Sequence, residues 1–215
     1  MKNYFAELWG TCILVFLGVW SIEYSNLYYS DNFQASLWLI TIVFGMAVTV
    51  AILLFGKISG AHINPAVSLA FYLNKELSLL DLIMYVISQL LGAILGAYLI
   101  NIILPSKLVG TTLPSVNISI GFTCEFVLSY ILMLVIFWIA DSKNKYHKYA
   151  AFVIGFQVAL HTYIVGLFTA VSMNPARSLG PALISGHWEY YWLYLLAPTL
   201  GMILSFITWK KQKYL

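Results

Sequence analysis

The sequence SGAHINPAV at residues 59–67 is echoed by SMNPARSLGPA at residues 172–182, and these two stretches decide the fold of the chain. Each contains an Asn-Pro-Ala tripeptide, Asn64-Pro65-Ala66 in the first and Asn174-Pro175-Ala176 in the second. Asparagine is a preferred N-cap and proline a preferred first residue of a helix, so both tripeptides predict helix starts. The apolar run after each covers only about two to three turns, which is too short to cross a membrane. Both motifs therefore predict half-helices, the second of which runs to about Ile184.

The composition around these motifs is that of a membrane protein. Of the 215 residues, 61% are hydrophobic and 9% are charged, whereas a soluble domain carries about 25% charged residues. Six stretches are long and apolar enough to cross the hydrocarbon as helices, which takes roughly 20 residues each. The predicted spans are about Tyr4–Trp20, Asn32–Gly56, Leu82–Ser106, Ile118–Ala140, Tyr149–Thr169 and Tyr190–Trp209. We therefore predict an all-α membrane protein with a single transmembrane domain over residues 1–215.

The two motifs belong to an internal repeat with a spacing of 110 residues. A glycine stands 19 residues before each motif asparagine, Gly45 in the first copy and Gly155 in the second. The predicted repeats are residues 1–110 and residues 117–215. Each holds three spans, and an odd number turns the second copy upside down in the membrane, so the repeat has inverted topology. The N-termini of the two half-helices then meet near the membrane midplane.

The lysines predict how the chain is oriented. With six spans, a cytoplasmic N-terminus also places the C-terminus and the connections after the second and fourth spans in the cytoplasm. Nine of the 11 basic residues then face the cytoplasm, which satisfies the positive-inside rule. These nine are Lys2, Lys57, Lys75, Lys143, Lys145, Lys148, Lys210, Lys211 and Lys213. We expect a multi-pass protein of the cell membrane with both termini in the cytoplasm.

The half-helix N-termini predict a pore that repels cations. Each presents unpaired N–H groups and about half a positive charge. Non-helical backbone at membrane depth has to be buried in protein or line a watery cavity, and a pore is the simplest such arrangement. Asn64 and Asn174 are expected to donate from their side-chain amides to the oxygen of a passing water or hydroxyl. Arg177 is the only arginine of the chain, and an intramembrane charge marks a functional site.

On these motifs the chain resembles the aquaporin or major intrinsic protein family along nearly its whole length. The resemblance rests on residues 59–67 and 172–182. It implies a right-handed bundle of six helices with two half-helices, one pore per subunit and a homotetramer in the lipid bilayer. It also implies that Arg177 lines the narrow outer filter, where an arginine excludes protons and cations. A structural ion pair with Glu7 or Glu125 is the alternative role for Arg177.

The resemblance further implies which residues form the filter. Phe44, 20 residues before Asn64, matches the aromatic residue that water channels of the family have in the second helix. Twelve residues before Asn174, where such channels typically have a histidine, this chain has Thr162, with His161 one place earlier. One residue turns a helical side chain by about 100°, so only one of the two can point into the pore, and the equal glycine spacings favour Thr162. The predicted filter is Phe44, Thr162, Val171 and Arg177, with His161 as the alternative.

Three further polar residues are assigned to support of the loops. Glu7 and Glu125 interrupt otherwise apolar spans at comparable places in the two repeats. Such carboxylates could relay protons in a coupled transporter, but one per repeat also suits acceptance of hydrogen bonds from re-entrant backbone N–H groups, and the resemblance favours this role. His62 is assigned to loop packing or gating, because no cysteine or second histidine lies at metal-ligand spacing.

The predicted function is a passive water channel that excludes protons and ions. Thr162 and Val171 are small, so we expect a filter wider than a strict water filter, which also admits ammonia, urea or some glycerol. A facilitator for glycerol or other small neutral solutes is one alternative, and an ion-coupled secondary transporter is another. No enzyme motif, cofactor motif, metal-ligand cluster or basic stripe occurs in the sequence. Neither catalysis, a cofactor, a metal nor nucleic acid is therefore expected.

Two further positions bear on the water and glycerol branches of the family. Glycerol-conducting members usually have an aspartate and a basic residue where this chain has Ser178 and Ala182, which favours water. Water channels tend to carry an aromatic pair where this chain has Tyr194-Leu195, so the second aromatic residue is missing.

Overall fold

The computed structural model describes residues 1–212, and the predicted cytoplasmic residue Lys213 lies outside them. The described chain forms α1 (Lys2–Tyr28), α2 (Phe33–Ser59), α3 (Pro65–Leu73), α4 (Leu79–Ile103), α5 (Ile118–Ala140), α6 (Ala150–Thr169), α7 (Pro175–Ser185) and α8 (Tyr191–Gln212). Six of these helices, all except α3 and α7, are long and apolar enough to span a membrane. The predicted fold class, an all-α membrane protein with six spanning helices and two short ones, is confirmed.

The first helix is longer than predicted. The sequence predicts a span that ends near Trp20, before the charged Glu23, but α1 continues to Tyr28. Glu23 is only 6% exposed, and its carboxylate accepts a hydrogen bond from the backbone N–H of Gly110. Because this partner lies 87 positions along the chain, no local pattern reveals that the glutamate is satisfied inside the bundle.

The long helices pack around the two short ones. Helix α1 packs against α2 and α4, α5 packs against α6 and α8, and α2 packs against α6. Both α3 and α7 contact α4 and α8. The larger apolar core surrounds α3 and draws side chains mainly from α2, α3 and α5. A second core joins α1, α4 and the start of α7. The short helices are thus held on all sides by spanning helices.

Glycines let the long helices approach at backbone contact. Gly45 on α2 faces Gly155 on α6, and a Cβ atom on Gly155 would lie 2.6 Å from the carbonyl oxygen of Gly45. Gly92 on α4 and Gly201 on α8 have matching roles, since a Cβ on either would overlap a carbonyl of the facing helix. The glycine spacing seen in the sequence therefore corresponds to the tightest crossing of α2 and α6.

We predict that Gly155→Ala destabilises the bundle. The new methyl group would crowd the Gly45 carbonyl and overlap Thr49, and overpacking of this kind costs about 1–3 kcal/mol. The control is Gly166→Ala on the same helix, where the nearest atom, Cγ2 of Thr162, would lie at an ordinary 3.6 Å. Thermal unfolding in detergent should show a lower midpoint for Gly155→Ala alone. Equal midpoints would contradict the backbone contact.

Candidate functional site

Asn64 and Asn174 form the N-termini of α3 and α7. The Oδ1 atom of Asn64 accepts a hydrogen bond from the N–H of Ala66 at 2.9 Å, and that of Asn174 accepts one from Ala176 at 3.0 Å. A proline follows each asparagine as the first helical residue, a position where its missing N–H costs no hydrogen bond. Local sequence alone is therefore enough to start both short helices.

Each asparagine also reaches across to the other half of the chain. The Nδ2 atom of Asn64 donates to the carbonyl of Met173 at 2.8 Å, and that of Asn174 donates to the carbonyl of Ile63 at 2.8 Å. An amide nitrogen carries two N–H bonds, so each asparagine keeps a second donor. Both asparagines line the same cavity, where that donor can bind a molecule.

The two loops that lead to the asparagines have unfavourable backbone conformations. Ala61 and Ile63 have φ values of 47° and 45°, and Val171 and Met173 have values of 29° and 50°. Positive φ at residues other than glycine costs about 1–3 kcal/mol each. Such conformations persist only where surrounding contacts enforce them, and in both loops a buried glutamate makes those contacts.

Glu7 holds the first loop. Its fully buried carboxylate accepts hydrogen bonds from the backbone N–H groups of His62 and Ile63 at 2.9 and 2.7 Å. The hydroxyl of Ser59 and the amide of Gln89 also donate to it, at 2.6 and 2.8 Å. Four donors offset the cost of burying a carboxylate.

Glu125 holds the second loop in the same manner. Its buried carboxylate accepts from the backbone N–H groups of Ser172 and Met173 at 3.0 and 2.8 Å. The hydroxyl of Thr169 donates to it at 2.9 Å. Glu7 and Glu125 thus contact the same two positions of their loops.

Sequence reasoning missed the residues that complete these contacts. Ser59 and Thr169 end α2 and α6, and each binds the glutamate of its own half. Tyr85 and Tyr194 donate from their hydroxyls to the carbonyls of Ser59 and Thr169, both at 2.7 Å. The only signal for these residues in the sequence is their spacing, which matches that of the motifs.

A cavity runs through the bundle beside the two loops. The four predicted filter residues and both motif asparagines line it, and so does His62. Charged and titratable residues line its other end: Lys57, Glu76, His147 and Lys148. Most of the wall between is apolar and includes Val48, Ile52, Val67, Ile136, Ile154 and Val158. Such a wall offers few hydrogen bonds to a molecule that passes.

Thr162 and His161 face different surroundings on α6. Thr162 lies on the cavity wall, and its hydroxyl donates to the carbonyl of Val158 at 2.9 Å. His161 is equally buried but is turned toward Met173, with its Nδ1 atom 3.1 Å from the sulfur. The cavity wall therefore includes Thr162 and not His161.

Arg177 is 2% exposed and lies on the cavity wall. Its Nη1 atom donates to the carbonyl of Gly110 at 3.1 Å. Its guanidinium lies 5.1 Å from the centre of the Phe44 ring. The Nε and Nη2 atoms have no hydrogen-bond acceptor among residues 1–212, so they remain free to bind a molecule in the cavity.

His62 packs in the first loop. Its ring stacks on that of Phe71 with 4.6 Å between centres, and its Nδ1 atom lies 3.1 Å from the hydroxyl of Ser68. No group of three or more potential metal ligands occurs among the described residues.

Six spanning helices, two short helices that meet end to end and a cavity beside them define a multi-pass membrane channel. The chain belongs to the major intrinsic protein family, because its residues 1–209 match the model of that family, described as Major intrinsic protein. Members of this family are channels and not enzymes.

Individual relatives cover nearly the whole chain. It is 37% identical over 207 residues to Nodulin-26 from Glycine max, a match that covers 94% of this chain and 74% of the relative. It is 36% identical over 209 residues to Aquaporin-4 from Mus musculus, which covers 93% of this chain but only 64% of that longer relative. The X-ray structure of the aquaglyceroporin from Plasmodium falciparum matches with a TM-score of 0.88 at 25% identity, over 98% of this chain and 95% of the other.

We predict that Glu125→Gln destabilises the protein and lowers its permeability. Glutamine has one acceptor oxygen in place of two, so the N–H of Ser172 or of Met173 loses its partner. A buried polar group without a partner costs about 1–3 kcal/mol. The exposed Glu189→Gln is the control and should behave as wild type in thermal unfolding and in vesicle water flux. A Glu125→Gln variant as stable and permeable as this control would contradict the loop-supporting role.

Proposed function

We propose that the chain is a passive channel for water that excludes protons and other ions and also passes small neutral solutes such as ammonia, urea or glycerol. The observation that carries this proposal is the buried guanidinium of Arg177, two of whose nitrogens lack an acceptor among the described residues while the side chain lines the cavity. Such donors suit the oxygen of an uncharged molecule and repel a cation.

Exclusion of protons and cations follows from the positive ends of the two short helices. The N-termini of α3 and α7 each contribute about half a positive charge, and the reciprocal bonds of Asn64 and Asn174 hold them together. A water molecule that accepts from both asparagine amides directs its own hydrogens away from them. A continuous chain for proton hopping is interrupted at that point.

The composition of the filter supports passage of solutes larger than water. Phe44 and Val171 contribute apolar surface, and Arg177 contributes the free donors. The hydroxyl of Thr162 donates to its own helix, so its oxygen keeps a lone pair as an acceptor. One polar and one apolar side suit amphipathic molecules such as urea and glycerol, and both Thr162 and Val171 are small.

The same features support the second candidate, a facilitator for glycerol or other small neutral solutes. The similarity to the Plasmodium falciparum aquaglyceroporin favours it, and the similarity to mouse Aquaporin-4 favours water. Ser178 also favours water, because glycerol-conducting members usually have an aspartate at its position.

The geometry disfavours an ion-coupled transporter. Such a transporter needs a carboxylate along its pathway, but Glu7 and Glu125 are occupied by backbone N–H groups of the loops. In the described part of the cavity wall, Glu76 is the one carboxylate, and it is exposed at the charged end of the cavity.

We also propose a homotetramer in the bilayer with both termini in the cytoplasm. The distribution of lysines supports this orientation. Large apolar side chains on the outside of the bundle, such as Leu53 and Phe156 at 57% and 70% exposure, suit contact with lipid or with neighbouring subunits.

We predict that Arg177→Val keeps water flow but relaxes selectivity. Loss of the guanidinium widens the filter and removes its charge, so urea or glycerol permeability should rise about tenfold, equivalent to ~1.4 kcal/mol, and a proton leak should appear. Stopped-flow light scattering on proteoliposomes measures the solutes, and an entrapped pH dye measures protons. The exposed Lys107→Val is the control. Unchanged selectivity of a folded Arg177→Val would remove Arg177 from the filter, and a wild-type solute flux that depends on a proton or sodium gradient would favour the transporter.

The register of α6 makes a separate prediction. Thr162→Ala enlarges the filter directly, whereas His161→Ala removes a contact with Met173 behind it. Urea and glycerol fluxes in the same vesicles should therefore change more for Thr162→Ala. A larger change for His161→Ala would show that His161 faces the pore.

A further inference from the structure

Glu23 is a buried carboxylate that plays no part in the loop contacts described above. It lies in α1 at 6% exposure, away from the loops that Glu7 and Glu125 hold. Burial of a carboxylate is costly unless it is hydrogen-bonded, so its partner indicates its role. That partner is the backbone N–H of Gly110, which donates to the Oε1 atom of Glu23 at 2.7 Å.

Gly110 connects Glu23 to the filter. Its N–H binds Glu23, and its carbonyl accepts the hydrogen bond from Nη1 of Arg177 at 3.1 Å. A carboxylate on α1 and the guanidinium of α7 are thus joined through a single residue of the connection between α4 and α5.

The position of Gly110 depends on its contact with α1. Val109 and Gly110 have φ values of 49° and 62°, so this stretch of backbone is held in a conformation that most residues avoid. A Cβ atom on Gly110 would lie 3.0 Å from Cγ1 of Val19 on α1. Glu23 is therefore the hydrogen-bond acceptor that holds this strained turn against α1.

The neighbours of Gly110 are tied elsewhere. The hydroxyl of Ser106 accepts from the N–H of Val109 at 3.2 Å, and Thr112 donates to the hydroxyl of Ser178 at 2.9 Å. These bonds hold the two sides of the turn. They leave the direction of the Gly110 carbonyl to the bond between its own N–H and Glu23.

We propose that Glu23 is a positioning residue for the filter, which holds Arg177 against the cavity wall through Gly110. This inference rests on the proposed role of Arg177. The other neighbour of the guanidinium is the ring of Phe44, which offers no comparable acceptor. A guanidinium that loses the Gly110 carbonyl turns into the cavity, where its remaining nitrogens already lack acceptors in the described chain. The filter then narrows and permeation slows.

The test compares Glu23→Leu and Glu23→Gln in the full-length protein, reconstituted in proteoliposomes at equal amounts of folded protein. Leucine removes the acceptor, whereas glutamine keeps an oxygen for the Gly110 N–H. We expect water permeability to fall about fivefold in Glu23→Leu, which equals the ~1 kcal/mol of one net hydrogen bond, and to stay at the wild-type level in Glu23→Gln. Ser21→Ala is the matched control on α1, because the hydroxyl of Ser21 is buried and bonds within its own helix, to Gly18.

The Arg177→Val background separates positioning from folding. Without a guanidinium there is nothing for Gly110 to position, so Glu23→Leu should leave the permeability of Arg177→Val unchanged. Where Glu23→Leu does not fold, Glu23→Asp withdraws the carboxylate by one methylene group and should give a smaller loss with the same dependence on Arg177.

Three results would overturn the proposal: no loss in a folded Glu23→Leu, an equal loss in both backgrounds, or a Glu23→Gln variant as impaired as Glu23→Leu. Wild-type selectivity of Arg177→Val alone would instead refute the filter role of Arg177. The failure of the positioning role and the failure of the proposed function are thus told apart.

Discussion

A peptide N–H buried at membrane depth needs an acceptor, because no water is there to supply one. The loops before α3 and α7 meet this constraint with two carboxylates, Glu7 and Glu125, each of which accepts from two successive N–H groups. These contacts hold residues such as Ile63 and Met173 at positive φ. Only with the loops held in this way do the two short helices present their N-termini to a common cavity.

The two halves of the molecule differ in how they support the loops from behind. In the first half, Gln89 of α4 donates both to Glu7 and to the hydroxyl of Ser68. In the second half Pro198 stands at the position that corresponds to Gln89 by repeat spacing, and the hydroxyl of Ser178 is bound by Thr112 instead. The connection between α4 and α5 therefore replaces a helix side chain in the half that carries the filter arginine.

The sequence could predict what depends on local chemistry. The starts of α3 and α7 follow from Asn64 and Asn174 with the prolines that succeed them, and α5 has the predicted bounds Ile118–Ala140. The end of α1 could not be predicted, because the burial of Glu23 depends on Gly110, a partner far along the chain. The same holds for the guanidinium of Arg177, whose neighbour Gly110 lies in a connection without periodicity. Long-range pairing with irregular backbone leaves no local pattern to read.

The reciprocal bonds between the asparagine amides and the opposite loops also impose an order on synthesis. The amide of Asn64 binds a carbonyl of Met173, which is made 109 residues later. A ribosome that adds about 5–20 residues per second needs roughly 5 to 20 s for that distance. During this interval the first half of the nascent chain carries a donor that only water or the insertion machinery can satisfy. Closure of the lumen is therefore a late event, and the translating ribosome sets its earliest possible time.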